Sequence, residues 1–516
     1  MTLGTKDCLL ALAATILALS ACKGENPDSP SDETSYQTVK IVADRTSVIR
    51  NPLTGWALYV GRSWDDTFWA SEKYDEMPTS DGTTVRVSDY ASIAYMRIPW
   101  AKLETSEGVY AWDSPTSSFS KVVKSCLDRG LRMAFRIYPD SRDQALNTPQ
   151  YVFDAGAEWY SDNGNTVRKS PFPDDPIFQE KYAKFIHAFA QAFDDPDKVD
   201  FIDAYGLGKW GEGHTLIYKD NSNKRAVFDW ITNLYSSEFK NIALVINYHR
   251  LIGDQNTGAW GSVSEDTEPM LRSAIQDKGY SLRHDAFGMT GYYQTWEKNF
   301  AAEWNFKRPI IMEGGWVLNT HRWWLDPCGK YVEGQPATLR QGEYDASAEA
   351  RVNSMDFRTN GEVQSWFGDA FELVQKFVEE GGYRLYPDQV KMPVSAKSGT
   401  SVSVTHRWIN LGWGYCPTNI PQWNQKYKVG IALLDSSDGV RFEYVDTDTD
   451  LSEWLKDKPV TYKTEFTLDG VAAGTYTLAL GLVDTTKGNA IGLNVAVKSD
   501  SLSKDGWVKV GTVTVK

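Results

Sequence analysis

Pro309-Ile310-Ile311-Met312-Glu313-Gly314-Gly315-Trp316 sets a short apolar run against a carboxylate and a pair of glycines. A run this short, bounded by turn residues, has the length of a buried strand rather than of a helix. Glu313 stands where the strand stops. Working outward, the same unit recurs: an apolar run over residues 199–207 ends just before Lys209-Trp210-Gly211-Glu212. Between such runs lie segments of helical period. Phe119, Val122, Val123, Cys126 and Leu127 share one helix face, and Gly130 supplies its C-terminal cap. Tyr182, Phe185, Ile186 and Phe189 mark a second helix, and residues 300–306 a third.

Strands are expected over residues 56–60, 93–98, 131–138, 199–207, 243–247, 286–291, 309–312 and 362–366. Eight strands separated by helices predict a (β/α)8 TIM barrel over residues 41–385. An open doubly wound sheet is the alternative. Against it, no GxGxxG loop follows the first strand, and neither a P-loop nor an HExxH pair occurs. From residue 386 the helical period stops. Short runs over 401–405, 428–434, 461–468, 475–483 and 507–515 are punctuated by Asp469-Gly470, Ala473-Gly474 and Asp505-Gly506. They predict an antiparallel β-sandwich over residues 386–516. It carries no chemical constellation, so bracing the barrel is its expected role and glycan binding the alternative.

Residues 9–19 are apolar but too few to span a bilayer, which is the form of a signal-peptide core over residues 1–21. Leu19-Ser20-Ala21-Cys22 resembles a bacterial lipobox, which implies lipidation at Cys22; an ordinary secretory signal is the alternative. Residues 22–40 are polar and bear proline, serine and glycine, as a flexible tether does. Acidic residues after the cysteine resemble the surface-export signals of Bacteroidota lipoproteins. The expected location is therefore the outer membrane of a Gram-negative bacterium, at the cell surface, with a lipid anchor as the membrane contact.

A net charge of -14 and a pI near 5.1 argue against nucleic acid or polyanionic partners and leave neutral ones open. Beyond Cys8 and Cys22 only Cys126, Cys328 and Cys416 remain, with no CxxC. Cys126 reads as a core residue, and a Cys328–Cys416 disulfide is an option that sequence does not decide. Twenty tryptophans are many for this length, and Trp64, Trp69, Trp100, Trp210, Trp316, Trp323, Trp324 and Trp366 fall in loops after strands. Aromatic faces there suit the flat C–H faces of sugars, or simply pack under long loops. His214, His249 and His321 share no ligand spacing, so no metal site and no cofactor are expected.

In a barrel, carboxylates at the C-terminal strand ends point into the cleft. Two of them on two strands are what glycosidic bond cleavage requires. Glutamates that cap loops or pair with arginines are the plain structural alternative, and Glu362, at the start of its run, is read that way.

The arrangement resembles the large clan of retaining (β/α)8 glycosidases, whose acid/base follows strand four and whose nucleophile ends strand seven. Arg97-Ile98-Pro99-Trp100, with Leu103-Glu104, Glu107-Gly108, Tyr110 and Trp112-Asp113, is similar to the clan's strand-two signature. The whole chain also looks like glycosidase-like lipoproteins of Bacteroidota that join such a barrel to a sandwich. The resemblance implies Glu313 as nucleophile, Glu212 as acid/base and Arg97 beside the nucleophile. It implies Tyr292 or Tyr293 hydrogen-bonded to the nucleophile and Trp366 as the floor of the sugar site. Trp100, Trp210, His214 and Trp316 join them as substrate-binding candidates, and Arg136 and Asp140 close strand three beside the cleft. Glu313 is expected ionised, and Glu212 with a raised pKa. One position departs: the clan usually places asparagine before the acid/base, and here stands Gly211, with Asn247 the candidate replacement. A surface-anchored glycoside hydrolase acting on an oligo- or polysaccharide is the expectation. The alternative is a non-catalytic glycan-binding lipoprotein on a degenerate barrel.

Overall fold

The computed structural model describes residues 35–60, 64–142, 146–161, 164–255, 263–287, 292–315, 318 and 334–516. The leader, Cys22 and most of the tether lie outside the described residues, as do Trp316, His321, Trp323, Trp324 and Cys328. Cys416 is buried. No helix among the described residues is long and apolar enough to cross a membrane.

Eight strands close into a barrel: Gly55–Tyr59, Ala91–Pro99, Arg132–Tyr138, Val199–Asp203, Ala243–Asn247, Ser281–His284, Ile310–Met312 and Ser354–Asp356. Every pair is parallel, and the eighth strand pairs with the first. They are called strands one to eight below. Helices between them present one apolar stripe to the barrel. Pro176–Phe193 buries Phe178, Tyr182, Phe185, Ile186 and Phe189, and starts on the Asp175 side chain, which accepts from two backbone N–H groups.

Strands six and eight differ from their expected positions. Strand six is Ser281–His284, not residues 286–291. Its polar sequence hides it because Arg283 points into the barrel. Strand eight is the three-residue Ser354–Asp356, and residues 362–366 belong to the helix Gly361–Glu380. Val363, Trp366, Phe367, Phe371, Val374 and Phe377 recur at helical spacing there, all buried.

The sandwich recruits the N-terminus. Tyr36–Lys40, which its composition assigned to the tether, is a strand paired antiparallel with Leu385–Pro393. That sheet continues through Ser401–Asn410 and Val460–Thr467. The facing sheet runs Ser395–Ala396, Val508–Val515, Gly474–Asp484, Tyr427–Leu434 and Val440–Asp446, with Ala490–Leu493 on Gly474–Asp484. The barrel is thus inserted between the first two strands of one sandwich sheet.

The sandwich closes the N-terminal end of the barrel. Leu53, Ile93, Ala134, Phe201, Val245 and Ile311 share one core cluster with Trp408, Ile420, Trp423 and Leu451. Trp413 Nε1 donates to the Val352 carbonyl at 2.8 Å, and Asn353 Nδ2 to that of Tyr415 at 2.8 Å. Burying each such aliphatic or aromatic side chain contributes about 1.5–3 kcal/mol, so the two units stabilise each other. The opposite, C-terminal end of the barrel carries Glu212 and Glu313.

Candidate active site

Glu313 directly follows strand seven and is buried at the centre of the C-terminal mouth. Tyr59, ending strand one, donates to its Oε1 at 2.6 Å. Arg97 of strand two donates to the same atom at 3.1 Å, and Arg358, just past strand eight, donates to it as well. Arg283 of strand six donates to Oε2, with Arg136 of strand three 3.4 Å away. Burial alone would raise the Glu313 pKa, but Arg283, Arg358 and Arg136 outweigh it and hold the carboxyl well below the ordinary range.

Glu212 lies across Arg97 from Glu313. Arg97 Nη2 meets Glu212 Oε1 at 3.0 Å while Nη1 meets Glu313, so one guanidinium spans both carboxylates. The Trp210 carbonyl accepts from Nη2 at 2.9 Å, and Trp64 Nε1 donates to the Arg97 carbonyl at 2.6 Å. His214 Nε2 sits 3.1 Å from Glu212 Oε2. The expected elevation of Glu212 is corrected here: burial pushes it up, but Arg97 and His214 hold it below its ordinary value.

The loop explains Gly211. Its φ is +75°, and an added Cβ would stand 2.9 Å from Tyr138 Cβ and 3.1 Å from Arg136 Cδ. Asparagine cannot occupy that position without moving the strand-three side chains. Trp210 beside it also takes a left-handed φ of +58°, a strained conformation for an aromatic residue. Lys209 Nζ lies 4.4 Å from the centre of its ring. The Asn247 side chain holds the loop: Nδ2 donates to the Glu212 carbonyl at 3.0 Å and to Asp285 Oδ2, and Oδ1 accepts from the Asp285 N–H at 3.1 Å. His249 Nε2 lies 2.8 Å from the same Glu212 carbonyl.

Tyr59, Arg283, Asp285 and Arg358 are site residues that sequence reading missed. Asp285 follows the polar strand six, one residue ahead of the run expected to be that strand. An oxygen of Asp285, one of Glu212 and one of Glu313 all lie within 4.8 Å of one another. Such a trio resembles a cation site, but Arg97, Arg136, Arg283 and Arg358 already supply its positive charge, and a divalent ion would have to displace them.

Several expected contacts fall elsewhere. Trp100 is fully buried, donates to Glu104 Oε2 at 2.8 Å and packs on Tyr182 and Phe185 in the helix layer. Trp366 is also fully buried, 4.9 Å from the Trp56 ring and under the Arg340 guanidinium, so it does not floor the mouth. Glu362 pairs with Arg340, as a structural glutamate. The tyrosine bonded to Glu313 is Tyr59 from strand one. Tyr293 instead accepts from the Tyr248 hydroxyl at 3.4 Å and packs on Phe287, and Tyr292 is half-buried. Arg136 lines the mouth, whereas Asp140 pairs with Arg142.

No protein-family model and no curated protein matches the sequence. Among solved structures, the catalytic domain of β-amylase from Paenibacillus polymyxa is 9% identical, with a TM-score of 0.40 over 61% of this chain and 97% of that one. An exo-β-1,4-mannosidase from Opitutaceae bacterium strain TAV5 is 12% identical, with a TM-score of 0.38 over 66% and 62%. Endo-glycoceramidase II from Rhodococcus sp. is 12% identical, with a TM-score of 0.35 over 82% and 99%. Likeness at this level carries no inference about residues, and the barrel stands on its own strand pairing.

Proposed function

We propose that this chain is a glycoside hydrolase acting by retaining double displacement, with Glu313 as nucleophile and Glu212 as acid/base. The observation that carries the reading is the carboxyl pair itself. The two groups leave strands four and seven into one mouth, with oxygens within 4.8 Å and one guanidinium across both. Carboxyls about 5–5.5 Å apart suit a covalent intermediate, whereas inversion needs about 6.5–9.5 Å to admit water between them.

In the first step a Glu313 oxygen bonds the anomeric carbon as the glycosidic C–O bond breaks. The leaving oxygen takes its proton from Glu212. In the second step Glu212 takes a proton from water, whose oxygen attacks the anomeric carbon and releases Glu313. Ion pairing holds Glu313 in the nucleophilic form throughout the neutral range. Trp210 and His214 flank Glu212 and are the proposed sugar contacts, with carbohydrate as the partner. Anchoring through Cys22 at the outer surface of a Gram-negative cell belongs to the same proposal, and rests on the lipobox resemblance alone.

A second reading, glycan binding without turnover, is favoured by one observation: Glu212 is held ionised and Glu313 is wrapped by guanidinium groups. Aryl glycosides of several sugars, assayed with the full chain and with Glu313→Gln and Glu212→Gln, separate the two. The hydrolase reading expects turnover by the full chain, loss in both variants, and a first-formed product that keeps the substrate anomer by NMR. Glycan binding with no turnover would establish the second reading.

A further inference from the structure

The Asp285 carboxyl is enclosed by groups from its own strand and four neighbouring segments. Arg136 of strand three donates to Oδ1 at 2.8 Å, and Arg283 of strand six lies 3.9 Å from that atom. Asn247 of strand five donates to Oδ2. Glu212, after strand four, and Glu313, after strand seven, complete the ring. One Asp285 oxygen and one Glu313 oxygen lie within 4.8 Å of each other, with both side chains buried. Two ionised carboxylates have no donor between them, so a hydrogen bond across that gap needs one proton. A close pair of carboxyls shares a single proton because both cannot ionise at that distance. Glu313 faces Arg97, Arg283 and Arg358, whereas Asp285 faces chiefly Arg136 and an amide. Of the two, Asp285 is the one whose surroundings favour the neutral form.

We propose that Asp285 is a positioning residue, a neutral carboxylic acid whose O–H donates to Glu313 and fixes the orientation and charge of that carboxylate. The inference rests on Glu313 being the nucleophile. Burial and the facing carboxylates raise Asp285 well above its ordinary pKa against the pull of Arg136. During glycosyl transfer the proton stays on Asp285. When the ester is hydrolysed, the O–H meets the negative charge returning to Glu313 and makes it a better leaving group. The amide of asparagine can make the same donation, and a methyl group cannot.

The test is infrared difference spectroscopy on the ligand-free full chain, with aryl-glycoside kinetics beside it. At neutral pH the chain is expected to carry a carboxylic-acid C=O band that Asp285→Asn removes and Glu212→Gln keeps. A spectrum unchanged by Asp285→Asn would overturn the proposal. Should that variant not fold, Asp285→Ala serves in its place, and persistence of the band in it would overturn the proposal. In kinetics, Asp285→Ala lowers kcat by about 10–100-fold with KM little changed, the scale of losing a buried supporting group, and Asp285→Asn restores most of it. Equal loss in both variants would reduce Asp285 to an ion-pair partner. If the full chain turns over no glycoside, the nucleophile reading fails while the infrared band still decides where the proton sits.

Discussion

Replacing Glu313 by glutamine should destabilise the fold, whatever it does to activity. The side chain is 1% exposed and accepts from Arg97, Arg283, Arg358 and Tyr59, with Arg136 close by. Glutamine keeps the shape but removes the charge, leaving guanidinium groups buried without this carboxylate. Breaking a buried ion pair by removing one partner costs about 3–5 kcal/mol. One compensation is built in: once Glu313 is neutral, Asp285 loses the charge that opposes its ionisation and can supply a negative charge beside Arg136 and Arg283. The loss should therefore fall at the lower end, about 3 kcal/mol. Urea unfolding near neutral pH, followed by tryptophan fluorescence, measures it. The sign with pH follows from the depressed Glu313 pKa: its stabilisation is present above about pH 4.3, the unfolded value, and is lost as pH falls through the folded one. The difference between the two proteins should shrink in strong acid. An unchanged or raised urea midpoint for Glu313→Gln at neutral pH would refute this account of the arginine cage.

Three further outcomes follow from the same geometry. Because Glu212 must be protonated for the first step and its pKa is lowered, kcat/KM should rise as pH falls below neutral; a plateau extending above pH 7 would contradict that assignment. His284 is buried among Tyr248, Phe287 and Tyr293, and burial depresses its pKa to about 3. The unfolded chain therefore binds a proton below about pH 6.5 that the folded chain refuses, so stability falls from there towards pH 3. His284→Phe should flatten that slope in urea titrations at successive pH values. Trp413→Ala should cost about 3–5 kcal/mol, by emptying the contact with Phe377 and Tyr344 that joins sandwich to barrel. A loss under 1 kcal/mol would mean that the two units do not brace each other.

The barrel was legible where strands are apolar and illegible where the site is polar. Strands five and seven, Ala243–Asn247 and Ile310–Met312, read almost to the residue because they face core on both sides. Strand six failed because Ser281, Arg283 and His284 give no apolar run, and Arg283 is polar where it serves Glu313. Asp285 was lost with it. The helix after strand eight was misread because Val363, Trp366 and Phe367 form a local cluster whose helical period emerges only over a longer window. Glu313, Glu212 and Arg97 could be placed at one mouth from sequence because each sits at the end of a readable strand or its loop. The reversal of Glu212 needed three dimensions: no local spacing reveals that Arg97 reaches both carboxylates. Gly211 looked like a lesion in the site, and the packing of Tyr138 and Arg136 against it makes it a requirement of the loop.

The most direct measurement is mass spectrometry of the full chain after brief exposure to activated aryl glycosides of slow-leaving 2-fluoro sugars, followed by peptide mapping. The account predicts a single glycosyl adduct on the peptide carrying Glu313, absent in Glu313→Gln. An adduct on Glu212 or Asp285, or none from any sugar that the full chain hydrolyses, would contradict it.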